Sequence, residues 1–211
     1  MENVDKNPDK HDLILSAARS LIGEYGFSAL TMDKVAAKAG IAKGTIYLYF
    51  KDKNELIESA LKRGFERLFE RIEKRVEKEA SSLEKLGALI HENLTYINEN
   101  RFFFKSIFLD EINIVFLKKK SVESFNLRRK KYASFVSEII KRGINSGEFR
   151  KDINPDRMGY LLIALIKTDA IYNFMNKNQD LSPEMIKSES SDMLDFFVKG
   201  ISAQNKKDVR I

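Results

Sequence analysis

The chain has 211 residues, a formal net charge of +6, ten glycines and three prolines. Apolar residues make up 43% of it and charged residues 32%, which excludes a disordered chain and predicts a globular one. The sequence contains no cysteine, which excludes disulfides, thiolate metal sites and a cysteine nucleophile. The N-terminal segment is polar, and the longest apolar run, at residues 159–166, is far shorter than the roughly 20 residues that cross a bilayer. We therefore expect a soluble cytoplasmic protein with no membrane partner.

The positive charge does not by itself locate a nucleic-acid surface. Residues 1–55 carry as many acidic as basic side chains, and the whole excess lies in residues 56–211. A prominent part of it is the basic run between Lys118 and Lys131. We interpret this run as a solvated face, with an anion site for a phosphate-bearing ligand as the alternative.

Apolar residues recur at intervals of three and four along nearly the whole chain, which is the spacing of helices, and no convincing strand pattern occurs. Asn7 and Pro8 suit the start of a first helix, whose inward stripe runs from Ile14 to Tyr25. We predict an all-α fold with about nine helices. After the fourth, the later helices are expected near residues 82–98, 101–110, 121–145, 155–176 and 183–203.

Two short helices separated by a glycine follow the first helix. Thr31 suits the cap of the second helix, and Gly40 suits its end because glycine adopts the left-handed conformation at little cost. A third helix is expected over about residues 42–50, with Ile46 and Phe50 facing inward. This layout matches a helix-turn-helix, whose second helix lies in the major groove of DNA.

The chemistry on the third helix suits DNA better than catalysis. Lys43 and Gly44 lie in its first turn, where open backbone amides and the helix dipole favour a phosphate. Lys53, at the start of the fourth helix, can neutralise a second phosphate. Three hydroxyls are predicted to point away from the core, those of Thr45, Tyr47 and Tyr49.

Residues 31–56, TMDKVAAKAGIAKGTIYLYFKDKNEL, resemble the DNA-binding signature of TetR-family transcriptional regulators. The resemblance implies a three-helix DNA-binding domain over residues 1–55 and a larger helical regulatory and dimerisation domain over residues 56–211. It also implies a homodimer on a palindromic operator and repression that a small ligand relieves. Ala42 departs from the pattern, because many members of the family have serine there.

Carried over by position, the resemblance assigns the contacts with double-stranded operator DNA. Phosphates would be contacted by Thr31, Lys43, Tyr47 and Lys53. Bases would be faced by Thr45 and Tyr49, together with the backbone of Gly44.

The second half of the chain offers either a packed aromatic core or an apolar cavity for a ligand. The candidates for lining such a cavity are Tyr96, Phe103, Ile107, Phe135, Ile139, Leu165 and Tyr172. Asp169 lies in the same helical stripe and is expected at a solvated edge, or beside a partner such as Lys167 or a polar group of the ligand. His91 is expected to be a hydrogen-bonded or surface histidine, with a ligand contact as the alternative. The implied effector is apolar or amphipathic.

The last two helices carry broad apolar faces. The family resemblance implies that they form a four-helix bundle between two subunits, and a purely intramolecular core is the alternative.

The sequence gives little support for an enzyme. His11 and His91 are too far apart in sequence for a helix-spaced metal pair, and no nucleophile elbow or phosphate-binding loop occurs. We expect no enzymatic activity, cofactor or metal. Two other functions stay open: a DNA-binding protein controlled by a protein partner, and a helical interaction module without a DNA role.

Overall fold

The computed structural model describes residues 8–109, 119–176 and 180–202. Apart from one isolated bridge between Phe149 and Ser202, the regular structure of these residues is entirely α-helical, so the predicted all-α fold is confirmed. The predicted cap Asn7 lies outside the described residues. The nine helices of the described residues are α1 (Pro8–Tyr25), α2 (Met32–Lys38), α3 (Lys43–Tyr49), α4 (Lys53–Val76), α5 (Ser82–Glu99), α6 (Arg101–Leu109), α7 (Lys119–Ser146), α8 (Pro155–Asn176) and α9 (Pro183–Ile201).

Local side-chain chemistry sets both ends of α2. The backbone N–H of Lys34 donates to the Thr31 hydroxyl oxygen at 3.2 Å, as expected of an N-cap. At the other end Gly40 has a φ of +66°, and the N–H of Ile41 donates back to the carbonyl of Ala36 at 3.0 Å. This pattern satisfies a carbonyl that the last helical turn would leave open, and it requires the left-handed conformation that glycine adopts easily.

A reciprocal cap starts α4. The carboxylate of Asp52 accepts the backbone N–H of Glu55 at 2.9 Å, and the Glu55 carboxylate accepts the N–H of Lys51 at 2.6 Å. The first bond satisfies a backbone donor that the first turn leaves open, and the second fixes the backbone just before the cap. The helix consequently begins at Lys53, directly after α3 and its C-cap residue Phe50.

The chain divides into two compact units. The first unit comprises Met1–Arg67 and Asn100–Phe125, and the second comprises Leu68–Glu99 and Asn126–Ile211. The continuous helix α4 contributes residues to both. The boundary at residues 55 and 56 that the sequence suggested stays a prediction.

In the first unit α1 packs against α2 and α6. Ile14, Ala18 and Ile22 of α1 are fully buried, as their spacing predicted. The expectation that Tyr25 also faces inward is wrong. Tyr25 is the last residue of α1, its side chain is exposed, and the Lys34 ammonium lies 5.9 Å from the centre of its ring.

In the second unit α5 packs against α8 and α9. The fully buried residues of this core come from α4, α5, α7 and α8, and they are Ile72, Leu86, Leu89, Ile90, Val136, Ile140 and Leu162. The Glu148 carboxylate accepts the backbone N–H groups of Ser82 at 3.2 Å and Leu83 at 3.0 Å, and thereby caps α5. Among the described helices, none is both long enough and apolar enough to cross a membrane.

Candidate nucleic-acid interface

The third helix presents one buried face and one open face. Ile46 is fully buried and Phe50, directly after the helix, is nearly so, as predicted. Lys43, Gly44 and Tyr47 are exposed, with 49% of Tyr47 accessible. A Cβ added at Gly44 would meet no atom within 4 Å, so a large partner can approach the backbone there. The open face of α3 therefore holds hydroxyl, ammonium and backbone groups next to one another.

The predicted placement of Tyr49 on that open face is wrong. Only 8% of the residue is exposed, because it follows Ile46 by three positions and shares its buried side of the helix. The ring lies 6.3 Å from the His11 ring of α1, which itself stacks on Phe50 at 5.1 Å. A base contact by Tyr49 stays a prediction, and it would need the hydroxyl at the edge of a ring that is otherwise packed. Thr45 is half-buried in the first half of the same helix.

An ion pair joins α3 to α2. The Lys43 ammonium lies 2.8 Å from a carboxylate oxygen of Asp33, and both side chains are exposed. The hydrogen bond and the negative charge of Asp33 raise the pKa of Lys43. A phosphate that binds Lys43 must therefore compete with a carboxylate already in place.

Lys53 is held in a different way, by a neutral group. Its ammonium donates to the backbone carbonyl of Ser28 at 3.0 Å, in the turn between α1 and α2. Lys34 of α2 donates to the next carbonyl, that of Ala29, at 3.1 Å. A phosphate contact was predicted for Lys53 from the sequence, but none was predicted for Lys34. Its position three residues after the Thr31 cap, in the first turn of α2, was the available signal.

The structure thus brings the predicted DNA-binding residues into two groups. One group surrounds the turn before α2 and contains Thr31 and Lys53. The other lies along α3 and contains Lys43, Gly44, Thr45 and Tyr47. Ala42 caps α3 without a side-chain hydrogen bond, because alanine lacks the hydroxyl of the serine that many members of the family have at this position.

Comparison with known proteins agrees with this geometry. The sequence profile of "Bacterial regulatory proteins, tetR family" matches residues 14–60, and that of "Tetracyclin repressor-like, C-terminal domain" matches residues 79–194. The chain belongs to the TetR family. It is a DNA-binding transcriptional regulator, as the signature predicted, and residues 14–60 contain the helix-turn-helix described above.

Three relatives illustrate the range of similarity within the TetR family. The fatty acid metabolism regulator protein of Bacillus subtilis is 27% identical over 194 residues, covering 91% of this chain and 95% of the relative. The transcriptional repressor KstR2 of Mycolicibacterium smegmatis is 28% identical over 150 residues, covering 70% and 71%. The solved structure of FadR from Bacillus subtilis in complex with stearoyl-CoA has a TM-score of 0.79 at 25% identity, covering 90% and 99%. These relatives are transcriptional regulators, which are not an enzyme class.

The candidate ligand residues of this TetR-family chain fall into different units. Phe103 and Ile107 are buried in the first unit, where the Arg19 guanidinium lies 4.8 Å from the centre of the Phe103 ring. In the second unit Tyr96 is buried, and the Arg71 guanidinium lies 5.1 Å from its ring centre. Leu165 is half-buried.

Two candidates, Phe135 and Ile139, line one cavity of about 220 Å³. Val76 completes its apolar part. Its charged residues are Glu73, Glu77, Lys85, Glu138 and Arg142. Sites that enclose drug-sized ligands are larger, at about 300–1,000 Å³. This cavity as it stands therefore fits a small group and not a long chain.

Tyr172, another of the candidates, lies on an open side of α8. Its side chain is 60% exposed on α8, because the apolar stripe of that helix extends round to its outer side. Asp169 is half-buried, and its carboxylate accepts the side-chain amide of Asn173 at 3.2 Å. His91 forms a hydrogen bond with the Ser190 hydroxyl at 3.3 Å, which agrees with the expectation of a hydrogen-bonded histidine.

An aromatic cluster that was not predicted from the sequence lies beside that cavity. The Phe69 ring lies 5.9 Å from Tyr132 and 5.3 Å from Phe135, in edge-on geometry. The side-chain amide of Asn93 donates to the Tyr132 hydroxyl at 2.7 Å, and burial raises the pKa of that hydroxyl, which stays neutral. The signal was present, because Tyr132, Phe135 and Ile139 recur at helical spacing along one face of α7.

Proposed function

We propose that the chain is a dimeric repressor that binds an operator duplex through the open face of α3 and leaves it when an amphipathic anion binds the second unit. The observation that carries the DNA-binding part is the open face itself. Lys43, Gly44 and Tyr47 are exposed on a short helix whose other side is fixed in the core by Ile46. Groups of this kind position a phosphate backbone and approach base edges.

The DNA-binding part is tested with a duplex that the wild-type protein selects from a random library. Tyr47→Ala removes an exposed hydroxyl and ring without opening the core, so we expect affinity to fall roughly tenfold with thermal stability unchanged. Lys78→Ala, an exposed lysine after the end of α4, is the control and should bind normally. If the wild-type protein selects no duplex, the helical interaction module becomes the better account.

The proposed dimer face is an exposed stripe on the last two helices. On α8 it contains Leu161, Tyr172 and Met175, which recur at spacings close to whole helical turns, and on α9 it contains Met185 and Phe196. Large apolar side chains that are exposed together on a monomer usually mark an interface. A second copy of the chain would bury them and place two α3 helices on one duplex.

Phe196→Glu tests this face, because a charge at the centre of an apolar interface is not easily buried. We expect sedimentation velocity to show a monomer for this variant and a dimer for the wild type. Leu127→Glu, on an equally open position of α7, should remain dimeric. A dimer that persists in Phe196→Glu would place the interface elsewhere.

The proposed effector class follows from charge and aromatic groups that meet on α7. The Lys131 ammonium lies 5.0 Å from the centre of the Phe69 ring, the same ring that Tyr132 and Phe135 contact edge-on. An apolar chain would favour the rings and an anionic end would favour the lysine. The 27% identity to a fatty acid metabolism regulator makes fatty acyl thioesters the first class to examine.

The effector is tested by titrating stearoyl-CoA, butyryl-CoA or free coenzyme A into the complex with the selected duplex. A true effector should weaken DNA binding by about 5–150-fold, the usual range of allosteric coupling. Lys131→Glu should abolish this response while leaving DNA affinity intact, and Lys130→Glu, its exposed neighbour, should not. Unchanged DNA affinity with every thioester would favour control by a protein partner.

A further inference from the structure

Two lysines from different helices are fixed on consecutive carbonyls of one turn. Lys53, the first residue of α4, donates to the carbonyl of Ser28 at 3.0 Å. Lys34, in α2, donates to the carbonyl of Ala29 at 3.1 Å. The two carbonyls are consecutive in the chain, and the charge of Lys34 acts on Lys53, so the two ammonium groups share one neighbourhood.

This arrangement concentrates positive charge. A carbonyl orients an ammonium group but does not cancel its charge, in contrast to Asp33, whose carboxylate neutralises Lys43. Burial and the neighbouring charge of Lys34 together lower the pKa of Lys53. Two like charges side by side are costly in the isolated protein, and an anion between them would remove that cost.

The Thr31 hydroxyl supplies a further donor at the same turn. Its oxygen accepts the backbone N–H of Lys34 at 3.2 Å, which leaves the hydroxyl hydrogen able to donate outward. Each ammonium has three hydrogens and spends one on its carbonyl, so both can also bind an oxygen anion.

We propose that Lys34 and Lys53 hold one DNA phosphate between them, with the Thr31 hydroxyl as a third donor. This inference rests on the proposed function and adds Lys34 to it as a phosphate contact. Lys34 then acts in the affinity for any duplex and not in the choice of sequence, because phosphates carry no base information. The hydrogen bond from Lys34 to the Ala29 carbonyl has a second effect, because it orients the ammonium group before DNA binds.

The experiment measures the affinity of the full-length dimer for the selected duplex as a function of salt concentration. Each phosphate contact releases condensed counterions, so Lys34→Ala should make the plot of log affinity against log salt shallower, by at most about one for each bound protomer because Lys53 still contacts the shared phosphate. Lys34→Arg should keep the wild-type slope. Lys78→Ala is the matched control and should also keep it.

A double-mutant cycle then tests whether the two lysines share a phosphate. If they do, Lys34→Ala combined with Lys53→Ala should cost less than the product of the two separate losses, because the first substitution already weakens the shared contact. Independent losses would overturn the shared clamp.

The outcomes separate this inference from the proposed function. If Lys34 merely anchored the turn, Lys34→Ala would lower the melting temperature and the affinity but would leave the salt slope unchanged, and the inference would be wrong while DNA binding stood. If the wild-type protein binds no duplex, the proposed function fails first. If the slope changed equally in Lys78→Ala, the change would reflect the net charge of the protein, and the shared phosphate contact of Lys34 and Lys53 would also be overturned.

Discussion

The two units use arginines of α4 in opposite ways. In the first unit two arginines share one acid: Arg63 and Arg67 donate to the same carboxylate oxygen of Asp12, at 3.1 and 3.3 Å. This cluster ties α1 to α4. The shared acid is partly exposed, with 40% of its side chain accessible.

In the second unit one arginine serves two acids. The Nε of Arg71 donates to Glu92 at 2.5 Å, and its two terminal nitrogens donate to the two carboxylate oxygens of Glu99. This cluster ties α4 to α5 and carries one excess negative charge. The side chain of Glu92 is only 14% exposed.

The difference shows which side chain each cluster depends on. In the first unit the acid is the shared member, and losing it leaves two arginines that water can still reach. In the second unit the arginine is the shared member, and losing it leaves a largely buried carboxylate without its cation. Because an uncompensated buried charge costs far more than a broken surface pair, the two clusters should differ in energy.

The largest expected effect is that of Arg71→Ala. We expect the free energy of unfolding to fall by about 2–3 kcal/mol, less than for a fully buried pair because Arg71 itself is partly exposed. Urea unfolding followed by circular dichroism measures it. Lys62→Ala is the control, since Lys62 pairs with Glu66 one turn along α4, both side chains are exposed, and such pairs are worth about 0.3–0.5 kcal/mol. Equal losses in the two variants would contradict the comparison.

Asp12→Asn should have a smaller effect, of about 0.5–1 kcal/mol at neutral pH. Burial alone would raise the pKa of Asp12, but hydrogen bonds and charges from Arg63 and Arg67 outweigh it and hold the pKa below its ordinary value of 3.8. A lowered pKa stabilises the fold above that ordinary value, and the contribution is lost as the pH falls through the lowered one.

The stability difference between wild type and Asp12→Asn should therefore persist from pH 7 to about pH 5 and shrink in stronger acid. Unfolding measured across this range checks the sign. Glu66→Gln is the control in the same unit, because Glu66 faces Lys62 at 3.8 Å in an exposed pair. A difference that grows on acidification would show that the arginines do not stabilise the ionised form.

Asp33→Asn should have the smallest effect on stability, because both members of its pair with Lys43 are exposed. Its effect should appear in DNA binding instead. Without Asp33 the Lys43 ammonium has no competing carboxylate in that pair, so affinity for the selected duplex should rise. Fluorescence anisotropy measures this change. Weaker binding would mean that Asp33 positions Lys43 for DNA.

Helix ends could be predicted from the sequence because their chemistry is local. Thr31 caps the helix that begins at the next residue, and Gly40 supplies the positive φ that ends it. The TetR-family assignment was predicted for the same reason, since the signature is one continuous segment.

Features that depend on distant partners could not be predicted. The spacing of Tyr49 from Ile46 allowed a buried ring, but only the packing of His11 from α1 shows that it is buried. Lys34 became a candidate only when the structure showed that it and Lys53 donate to consecutive carbonyls of one turn, those of Ala29 and Ser28. The apolar stripe of α8 contains Tyr172, and a stripe does not reveal which of its residues the remainder of the chain covers.

The most direct test of the central claim measures whether duplex DNA covers the open face of α3. The sequence has no cysteine, so Leu48→Cys on α3 and Leu83→Cys on α5, both exposed positions, each introduce a unique thiol. With the selected duplex at about ten times its Kd, maleimide labelling at position 48 should slow about tenfold, and labelling at position 83 should not change. An unchanged labelling rate at position 48, with binding of the duplex verified by anisotropy, would contradict the account.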